Sequence, residues 1–238
     1  MTGADDPTSS APRAGSFFGR RKGKPLRLGQ ANAVEGLLPA LRLDLTAPAP
    51  ADLKTLFPAP VARVFLESGF GGGEHMIALL EADPDLGIIG IEPFQNGMAK
   101  ALMAIEARGL SDRVRLYDQD AAPLLAWLPK ASLDRAYLLY PDPWPKVRHH
   151  KRRFVNATTL ATFARALKIG AEWRYASDWA DYVNWTLRHI RAEPRLLWLA
   201  TAAPDWHTPW DGWTRTRYEE KAIREGRVPC YLRFERRS

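Results

Sequence analysis

The fold is decided by the stretch Phe65-Leu66-Glu67-Ser68-Gly69-Phe70-Gly71-Gly72-Gly73-Glu74-His75. The apolar run over residues 61–67 predicts a buried strand that ends on an acid. The glycines that follow at alternate positions permit positive φ angles and let a ligand approach the backbone closely. A helix over residues 74–82 is expected next. Strand, glycine turn and helix together indicate a nucleotide-binding α/β fold, although a glycine turn alone is a weak signal.

Predicted strands and helices alternate along the rest of the chain. Further strands are expected over residues 87–92, 114–117, 133–140, 172–177, 196–200 and 229–234, the last two as a pair. Helices are expected over residues 94–108, 122–128, 158–167 and 179–190. Such alternation implies a mostly parallel sheet that is covered by helices on both faces. We therefore predict an α/β, Rossmann-like fold with a seven-stranded sheet.

Acids stand at the carboxyl ends of several predicted strands, where ligands bind in such sheets. Glu67 lies beside the glycine turn, where its charge would repel a pyrophosphate but suit a cationic amino group. Glu92 ends the second predicted strand about 20 residues after the turn, the distance typical of an acid that binds ribose hydroxyls. Asp120 could receive an adenine amino group, and Asp118 is the alternative. This set favours S-adenosylmethionine over NAD.

The segment Tyr140-Pro141-Asp142-Pro143-Trp144-Pro145-Lys146 follows the fourth predicted strand. Proline fixes its own φ and keeps the preceding residue out of the helical region, so Asp142 lies on a stiff turn. A rigid carboxylate beside a flat aromatic ring indicates an active site. Proline–aspartate turns are also common after strands, and this segment alone leaves both interpretations open.

Positive charge is clustered in the chain of 238 residues, whose net charge is +7. Residues 146–153 hold five Lys or Arg and two His, and a second basic stretch covers residues 20–27. Such clusters favour polyanions, chiefly nucleic acid or an acidic membrane. No apolar run approaches the roughly 18 residues of a membrane span. We therefore expect a nucleic-acid partner, no membrane partner and a cytoplasmic location.

Composition bounds the remaining possibilities. Cys230 is the only cysteine, and the histidines lack the spacing of zinc ligands, so no metal site is expected. Residues 1–45 are predicted to form a flexible basic arm, disordered to about residue 15 and ordered further on only by a partner. Residues 46–238 are predicted to form the main domain. A monomer is expected, and a dimer stays open.

With these motifs, the chain resembles the bacterial tRNA (guanine-N7-)-methyltransferases, a class I family that depends on S-adenosylmethionine. The resemblance runs from about Phe18 to the C-terminus. The residues that carry it are Leu66–Gly71, Gly90-Ile91-Glu92, the region of Asp120, Pro141–Lys146 with its basic tail, Ser177-Asp178-Trp179 and Thr216-Arg217-Tyr218-Glu219. The Pro-Asp-Pro-Trp core with its basic tail is specific, whereas many methyltransferases share the glycine turn.

The resemblance implies a site and a reaction. Residues 46–238 would form a methyltransferase domain that modifies N7 of a guanine in the variable loop of tRNA. S-adenosylmethionine would be held by Glu67, Gly69, Gly71, Glu92, Asp120 and Asp142. Asp142 would also be the catalytic acid. The substrate would contact Lys146, Asp178, Thr216, Arg217, Tyr218 and Glu219. Residues 220–226 depart from the family, whose members commonly carry an Arg-Gly pair and a Leu-Gly step there.

The chemistry of guanine suggests what Asp142 does. N7 carries a lone pair and no proton, so its methylation needs no base. We expect Asp142 to accept hydrogen bonds from guanine N1–H and the exocyclic amine and to stabilise the developing positive charge. Trp144 is expected either to stack on a base or to pack over the strand ends. Five cations are expected to follow phosphates: Lys146, Arg148, Lys151, Arg152 and Arg153.

Three other functions are compatible with parts of the sequence. A class I methyltransferase with another target would keep the cofactor motifs, but the basic clusters oppose a small-molecule substrate. A nicotinamide enzyme would share the sheet, but Glu67 and the glycine spacing favour S-adenosylmethionine. A non-catalytic RNA-binding protein would bind tRNA without transferring a methyl group.

Overall fold

The computed structural model describes residues 18–238, so the predicted disorder of residues 1 to about 15 lies outside the described residues. One seven-stranded sheet has the order β3-β2-β1-β4-β5-β7-β6. Its strands are β1 (Arg63–Ser68), β2 (Leu86–Ile91), β3 (Val114–Tyr117), β4 (Leu133–Leu139), β5 (Leu167–Ser177), β6 (Leu196–Trp198) and β7 (Cys230–Arg236). The first five strands are parallel, and β7 runs antiparallel between β5 and β6. The predicted fold class is confirmed, and so is the final strand pair.

Helices connect these strands and cover the sheet. They are α1 (Leu28–Gly36), α2 (Leu38–Leu41), α3 (Glu74–Ala82), α4 (Gln95–Ala107), α5 (Ala121–Trp127), α6 (Ala157–Ala166), α7 (Ala180–Arg191), α8 (Pro204–His207) and α9 (Arg217–Arg224). Short 3₁₀ helices cover Leu53–Leu56, Ser111–Arg113 and Val147–Arg152. No helix within residues 18–238 combines the length and the apolar character needed to cross a membrane.

The period of two along each strand divides the core into two layers. Val64 and Leu66 of β1 point to the layer formed with α5, α6 and α7. Phe65, between them, points to the opposite layer, which contains α3 and α4. Alternate side chains of a strand point to opposite faces of the sheet. A strand whose consecutive residues are apolar is therefore buried on both faces. Helices therefore cover both faces, as the alternation predicts.

The carboxyl ends of the parallel strands meet along one edge of the sheet. Ser68 is paired with Ile91, and Ile91 with Tyr117, so β1, β2 and β3 end at the same level. Just beyond that level, the Gly69 amide donates to the Ile91 carbonyl over 2.7 Å. The segments that follow β1 to β5 consequently lie side by side, and they carry the predicted site residues.

The segment before β1 contains two helices that the sequence analysis does not predict. Ala33 of α1 and Leu41 of α2 are buried in the layer that includes α4. Nearer the N-terminus, the Gln95 amide at the start of α4 donates to the Arg21 carbonyl over 2.9 Å. Part of the expected arm is therefore helical and packed. The flexibility of the arm and a domain boundary near residue 45 stay predictions.

Candidate active site

The glycine turn after β1 is built around the carboxylate of Glu92. Gly69, Gly71 and Gly73 have φ angles of 75°, 60° and 81°, a region that favours glycine. The Gly71 amide donates to Glu92 Oε2 over 2.7 Å, and the Phe94 amide donates to Oε1 over 2.8 Å. Burial raises the pKa of Glu92 to about 7, although both amide hydrogen bonds oppose the rise. This acid titrates in the physiological range.

Gly97 lets helix α4 approach the glycine turn. A Cβ atom at Gly97 would lie 2.4 Å from the Gly71 carbonyl oxygen, far inside contact distance. Any other residue at this position would push the turn away from the helix. Gly97 is not among the residues singled out from the sequence, where a glycine near the start of a predicted helix does not show what it packs against.

Glu67, at the end of β1, is paired with His75 of α3. His75 Nδ1 lies 2.8 Å from Glu67 Oε2, and both side chains are buried. The imidazole contacts the ring of Tyr137 edge-on at 4.7 Å and that of Trp213 at 5.6 Å, measured between centroids. The pair fixes the direction of the Glu67 carboxylate. His75 is a further site residue that the sequence analysis does not single out.

Asp118 and Asp120, the two candidates for adenine recognition, have different partners. Asp118 Oδ2 accepts from Arg42 Nη2 over 2.8 Å in an ion pair. Asp120 Oδ1 accepts from the Ala122 amide over 3.1 Å and so caps α5. Each acid keeps one buried oxygen with no hydrogen-bond partner among the described residues. Asp120 is the freer acceptor, because no cation within residues 18–238 forms an ion pair with it.

Asp142 lies on a turn whose flanking residues have unusual backbone angles. Tyr140 and Trp144 have φ angles of 49° and 43°, which non-glycine residues rarely adopt. Partial burial raises the pKa of Asp142, even though part of the residue is exposed. The Asp142 charge in turn contributes to the raised pKa of Glu92, after burial as the main cause. The charges of the two acids therefore interact at the carboxyl edge of the sheet.

The basic run after this turn forms the 3₁₀ helix Val147–Arg152. Lys146, Arg148 and Lys151 are exposed, as residues that follow phosphates would be. The Arg152 guanidinium lies 5.0 Å from the ring centroid of Trp144. The expectation that Arg153 follows phosphates is wrong, because its side chain is fully buried and ion-paired with a carboxylate of α7.

The start of α9 lies against the glycine turn. Thr216 caps this helix by accepting from the Glu219 amide over 3.3 Å. A Cβ atom at Gly71 would lie 3.1 Å from the Tyr218 ring and 3.3 Å from Arg217 Nη2. The Arg217 charge also partly offsets the rise in the pKa of Glu92. The structure thus brings the predicted substrate segment to the glycine turn.

Two predicted substrate carboxylates already have protein partners. Glu219 is buried and accepts from Trp213 Nε1 over 2.8 Å and from the Tyr231 hydroxyl. Asp178, after β5, accepts from Arg227 Nε over 2.5 Å. Other residues of the protein therefore hold both carboxylates in place.

A cavity of about 460 Å³ lies elsewhere, at the opposite edge of the sheet. None of the predicted site residues lines it. Its lining includes two ion pairs, Arg63 with Asp83 at 2.6 Å and Lys168 with Asp134 at 2.7 Å. Its charges are largely compensated within the protein, so the carboxyl edge of the sheet is the candidate active site.

Comparison with known proteins places this geometry in a family. The profile of a family described as "Putative methyltransferase" matches residues 61–231. A tRNA (guanine-N(7)-)-methyltransferase from Mesorhizobium japonicum is 58% identical over 222 residues, which cover 93% of this chain and 95% of that protein. One from Rhizobium meliloti is 56% identical over 229 residues, covering 96% and 98%. The solved 16S rRNA methyltransferase KamB is 13% identical, with a TM-score of 0.55 over 81% of this chain and 96% of that chain, and so shares the fold.

Proposed function

The chain belongs to the tRNA (guanine-N7-)-methyltransferase family, and on that premise we propose how its residues methylate a guanine in the variable loop of tRNA. The protein is a methyltransferase that modifies guanine N7 in tRNA. We propose S-adenosylmethionine as the methyl donor and the cytoplasm as the place of action. The assignment of roles is supported by the position of Asp142 on the stiff turn after β4, where its charge acts on Glu92 and the basic 3₁₀ helix follows.

The cofactor side fits S-adenosylmethionine through its acceptors. Glu67, oriented by His75, receives the cationic amino group. The Glu92 carboxylate accepts hydrogen bonds from the ribose hydroxyls. The Asp120 oxygen that has no hydrogen-bond partner among the described residues accepts one from the adenine amino group. Gly69 and Gly71 let the ligand lie against the backbone. When bound, S-adenosylmethionine supplies an electrophilic methyl group on a positively charged sulfur.

Asp142 orients the guanine and stabilises its positive charge. Its carboxylate accepts hydrogen bonds from guanine N1–H and the exocyclic amine, which leaves N7 directed at the methyl donor. Methylation at N7 makes the ring cationic, so a fixed negative charge is worth more in the transition state than in the ground state. Because partial burial raises the pKa of Asp142, the rate rises with pH through that pKa.

The substrate side combines phosphate binding with recognition of the nucleotide. Lys146 is exposed beside the turn and binds the backbone of the target nucleotide. Asp178 and the four residues at the start of α9 complete the substrate site: Thr216, Arg217, Tyr218 and Glu219. Arg217 and Tyr218 lie beside Gly71 of the glycine turn, while Thr216 and Glu219 fix the first turn of the helix that carries them.

Methyl transfer to defined transcripts tests this proposal. Unmodified tRNA is incubated with labelled S-adenosylmethionine, and its nucleosides are then separated. We expect the label in 7-methylguanosine, and none when adenosine replaces the variable-loop guanosine. Label in both transcripts would overturn the proposed position. Binding of tRNA without any label would favour the non-catalytic RNA-binding alternative.

A further inference from the structure

We propose that Arg153 is a positioning residue for Asp142, whose guanidinium holds the catalytic turn in place without contacting tRNA. The inference rests on the catalytic role proposed for Asp142. Arg153 differs in burial from the other cations of the basic run: Lys146, Arg148 and Lys151 are exposed, and Arg152 is half-buried.

Arg153 is buried at the end of the basic run. The side chain of Arg153 is 0% exposed, although the composition of its run is typical of a solvated, phosphate-binding surface. A buried cation is tolerated only when anions and hydrogen-bond acceptors compensate for its lost hydration. A side chain without access to solvent has no surface for a phosphate, so its function must lie in its protein contacts.

Those contacts join the Asp142 turn to helix α7. Arg153 Nε donates to the Pro143 carbonyl over 2.9 Å, and this carbonyl belongs to the residue directly after Asp142. Arg153 Nη2 is ion-paired with Asp181 of α7, and this hydrogen bond is the main cause that lowers the pKa of Asp181. One planar guanidinium thus binds the turn and the helix together.

Aromatic rings of α7 hold the guanidinium in this orientation. Its central carbon lies 4.9 Å from the ring centroid of Tyr182 and 5.1 Å from that of Trp185. Arginine is suited to such a place, because its planar fork can stack on rings while donating in its own plane. Lysine has a single tetrahedral donor group, so it cannot reproduce the stacking and both polar contacts.

The turn needs support from outside because its own backbone angles are unfavourable. The positive φ angles of Tyr140 and Trp144 flank the Pro141–Pro143 segment, and such angles persist only where the surroundings impose them. On the Tyr140 side, its amide donates to the Ala176 carbonyl of β5 over 2.8 Å. On the Trp144 side, the Arg153 bond to Pro143 is the corresponding anchor.

The Arg153→Lys variant tests the proposal through separate measurements of binding and rate. Single-turnover methylation at saturating S-adenosylmethionine and tRNA is expected to fall about 10²-fold, the effect of a small displacement of a catalytic group. The Kd for tRNA and its dependence on salt are expected to stay unchanged. Arg63→Lys is the control, because Arg63 is half exposed and ion-paired with Asp83 at the opposite edge of the sheet, and it should leave the rate unchanged.

A double-mutant cycle distinguishes positioning from general damage. If Arg153 acts through Asp142, Arg153→Lys should cause no further loss of rate in an Asp142→Asn background. A similar loss in both backgrounds, or weaker tRNA binding with a shallower salt dependence, would overturn the proposal. Full activity of Asp142→Asn alone would instead overturn the role of Asp142, so the two failures are distinguishable.

A second variant covers the case in which Arg153→Lys does not fold. Asp181 is half exposed and lies on α7, so Asp181→Asn should fold while removing the charge that orients the guanidinium. The expected pattern is the same but weaker, with a slower single-turnover rate, unchanged tRNA affinity and no added effect in the Asp142→Asn background. An unchanged rate in Asp181→Asn would contradict the proposed anchor.

Discussion

Glu92 on the cofactor side and Glu219 on the substrate side are held by different means. On the cofactor side, backbone amides of Gly71 and Phe94 bind the Glu92 carboxylate. On the substrate side, side chains do this work, as when Trp213 and Tyr231 bind Glu219. Backbone contacts depend on close packing of the chain, whereas side-chain contacts depend on the identity of distant residues. The surroundings of Glu92 and those of Glu219 should therefore respond differently to substitutions.

The variant Gly97→Ala should show the largest effect on the cofactor side. The added Cβ would lie 2.4 Å from the Gly71 carbonyl oxygen, so the glycine turn or α4 must move. Overpacking of this kind costs about 1–3 kcal/mol. We expect the Kd for S-adenosylmethionine, measured by calorimetry, to rise about tenfold to a hundredfold, since each tenfold corresponds to about 1.4 kcal/mol.

Gly36→Ala is the matched control for this substitution. A Cβ at Gly36 would meet no atom within 4 Å, and Gly36 ends a helix. It should leave cofactor affinity unchanged. Equal affinities of the two variants would show that the close approach of α4 does not shape the glycine turn.

The variant Glu219→Gln should damage the substrate side and spare the cofactor side. Glutamine offers one carbonyl oxygen, so either Trp213 Nε1 or the Tyr231 hydroxyl loses its acceptor. An unsatisfied buried donor costs about 1–3 kcal/mol. We expect a lower Tm, a methylation rate reduced about tenfold and an unchanged Kd for S-adenosylmethionine. Glu220→Gln, on the exposed face of the same helix, is the control, and similar losses in both variants would contradict the account.

The same contrast explains which parts of the site were predictable. Helix α3 begins at Glu74 and ends at Ala82, as predicted, because strand, glycine turn and helix follow one another locally in the sequence. Glu92 could be singled out from its spacing to the turn. Gly97 could not, because its importance depends on the position of the Gly71 carbonyl in the folded chain.

The residue types and motifs of the substrate side were predictable from the sequence. The roles of some of its residues were not. Arg153 looks solvated in the sequence, because its partner Asp181 lies 28 positions further along the chain. The internal partners of Glu219 also come from separate segments. Charge patterns show that a cation is present, and only the packing shows whether it faces solvent or a buried carboxylate.

We expect the affinity for S-adenosylmethionine to depend moderately on pH, because the ionisation of Glu92 changes with pH. Its pKa of about 7, raised chiefly by burial, means that the carboxyl is largely protonated at about pH 6 and ionised at about pH 8. Ribose hydroxyls donate best to the ionised form. We expect affinity to increase up to about tenfold over this interval, following the ionised fraction. Glu92→Gln should bind more weakly and lose most of this dependence, and an equal dependence in both proteins would contradict the assignment.

The raised pKa of Glu92 should make the stability of the ligand-free protein change with pH in the opposite direction to its cofactor affinity. The raised pKa of Glu92 favours the protonated form in the folded protein. Its contribution to stability is fully present below the ordinary value of 4.5 and is lost as the pH rises through about 7. Thermal unfolding at several pH values should therefore give a Tm that falls less with pH in Glu92→Gln than in the unaltered protein.

The smallest expected effect concerns single phosphate contacts. Lys151 is exposed on the basic 3₁₀ helix, so Lys151→Ala should weaken tRNA binding and shallow the slope of log K against log salt by about 0.7–0.9. Filter binding at several salt concentrations measures this slope. Lys54→Ala, on a different 3₁₀ helix, is the control. An unchanged slope in Lys151→Ala would show that this part of the run is merely solvated.

The central claim is that the substrate side acts on the transition state through Asp142. Single-turnover methylation by Asp142→Asn, at saturating S-adenosylmethionine and with the tRNA Kd measured in parallel, tests it most directly. We expect the rate to fall about 10²–10³-fold, as for the loss of a preorganised electrostatic contact, with tRNA affinity nearly unchanged. A rate within a few fold of the unaltered enzyme would contradict the claim, and so would a loss confined to tRNA affinity.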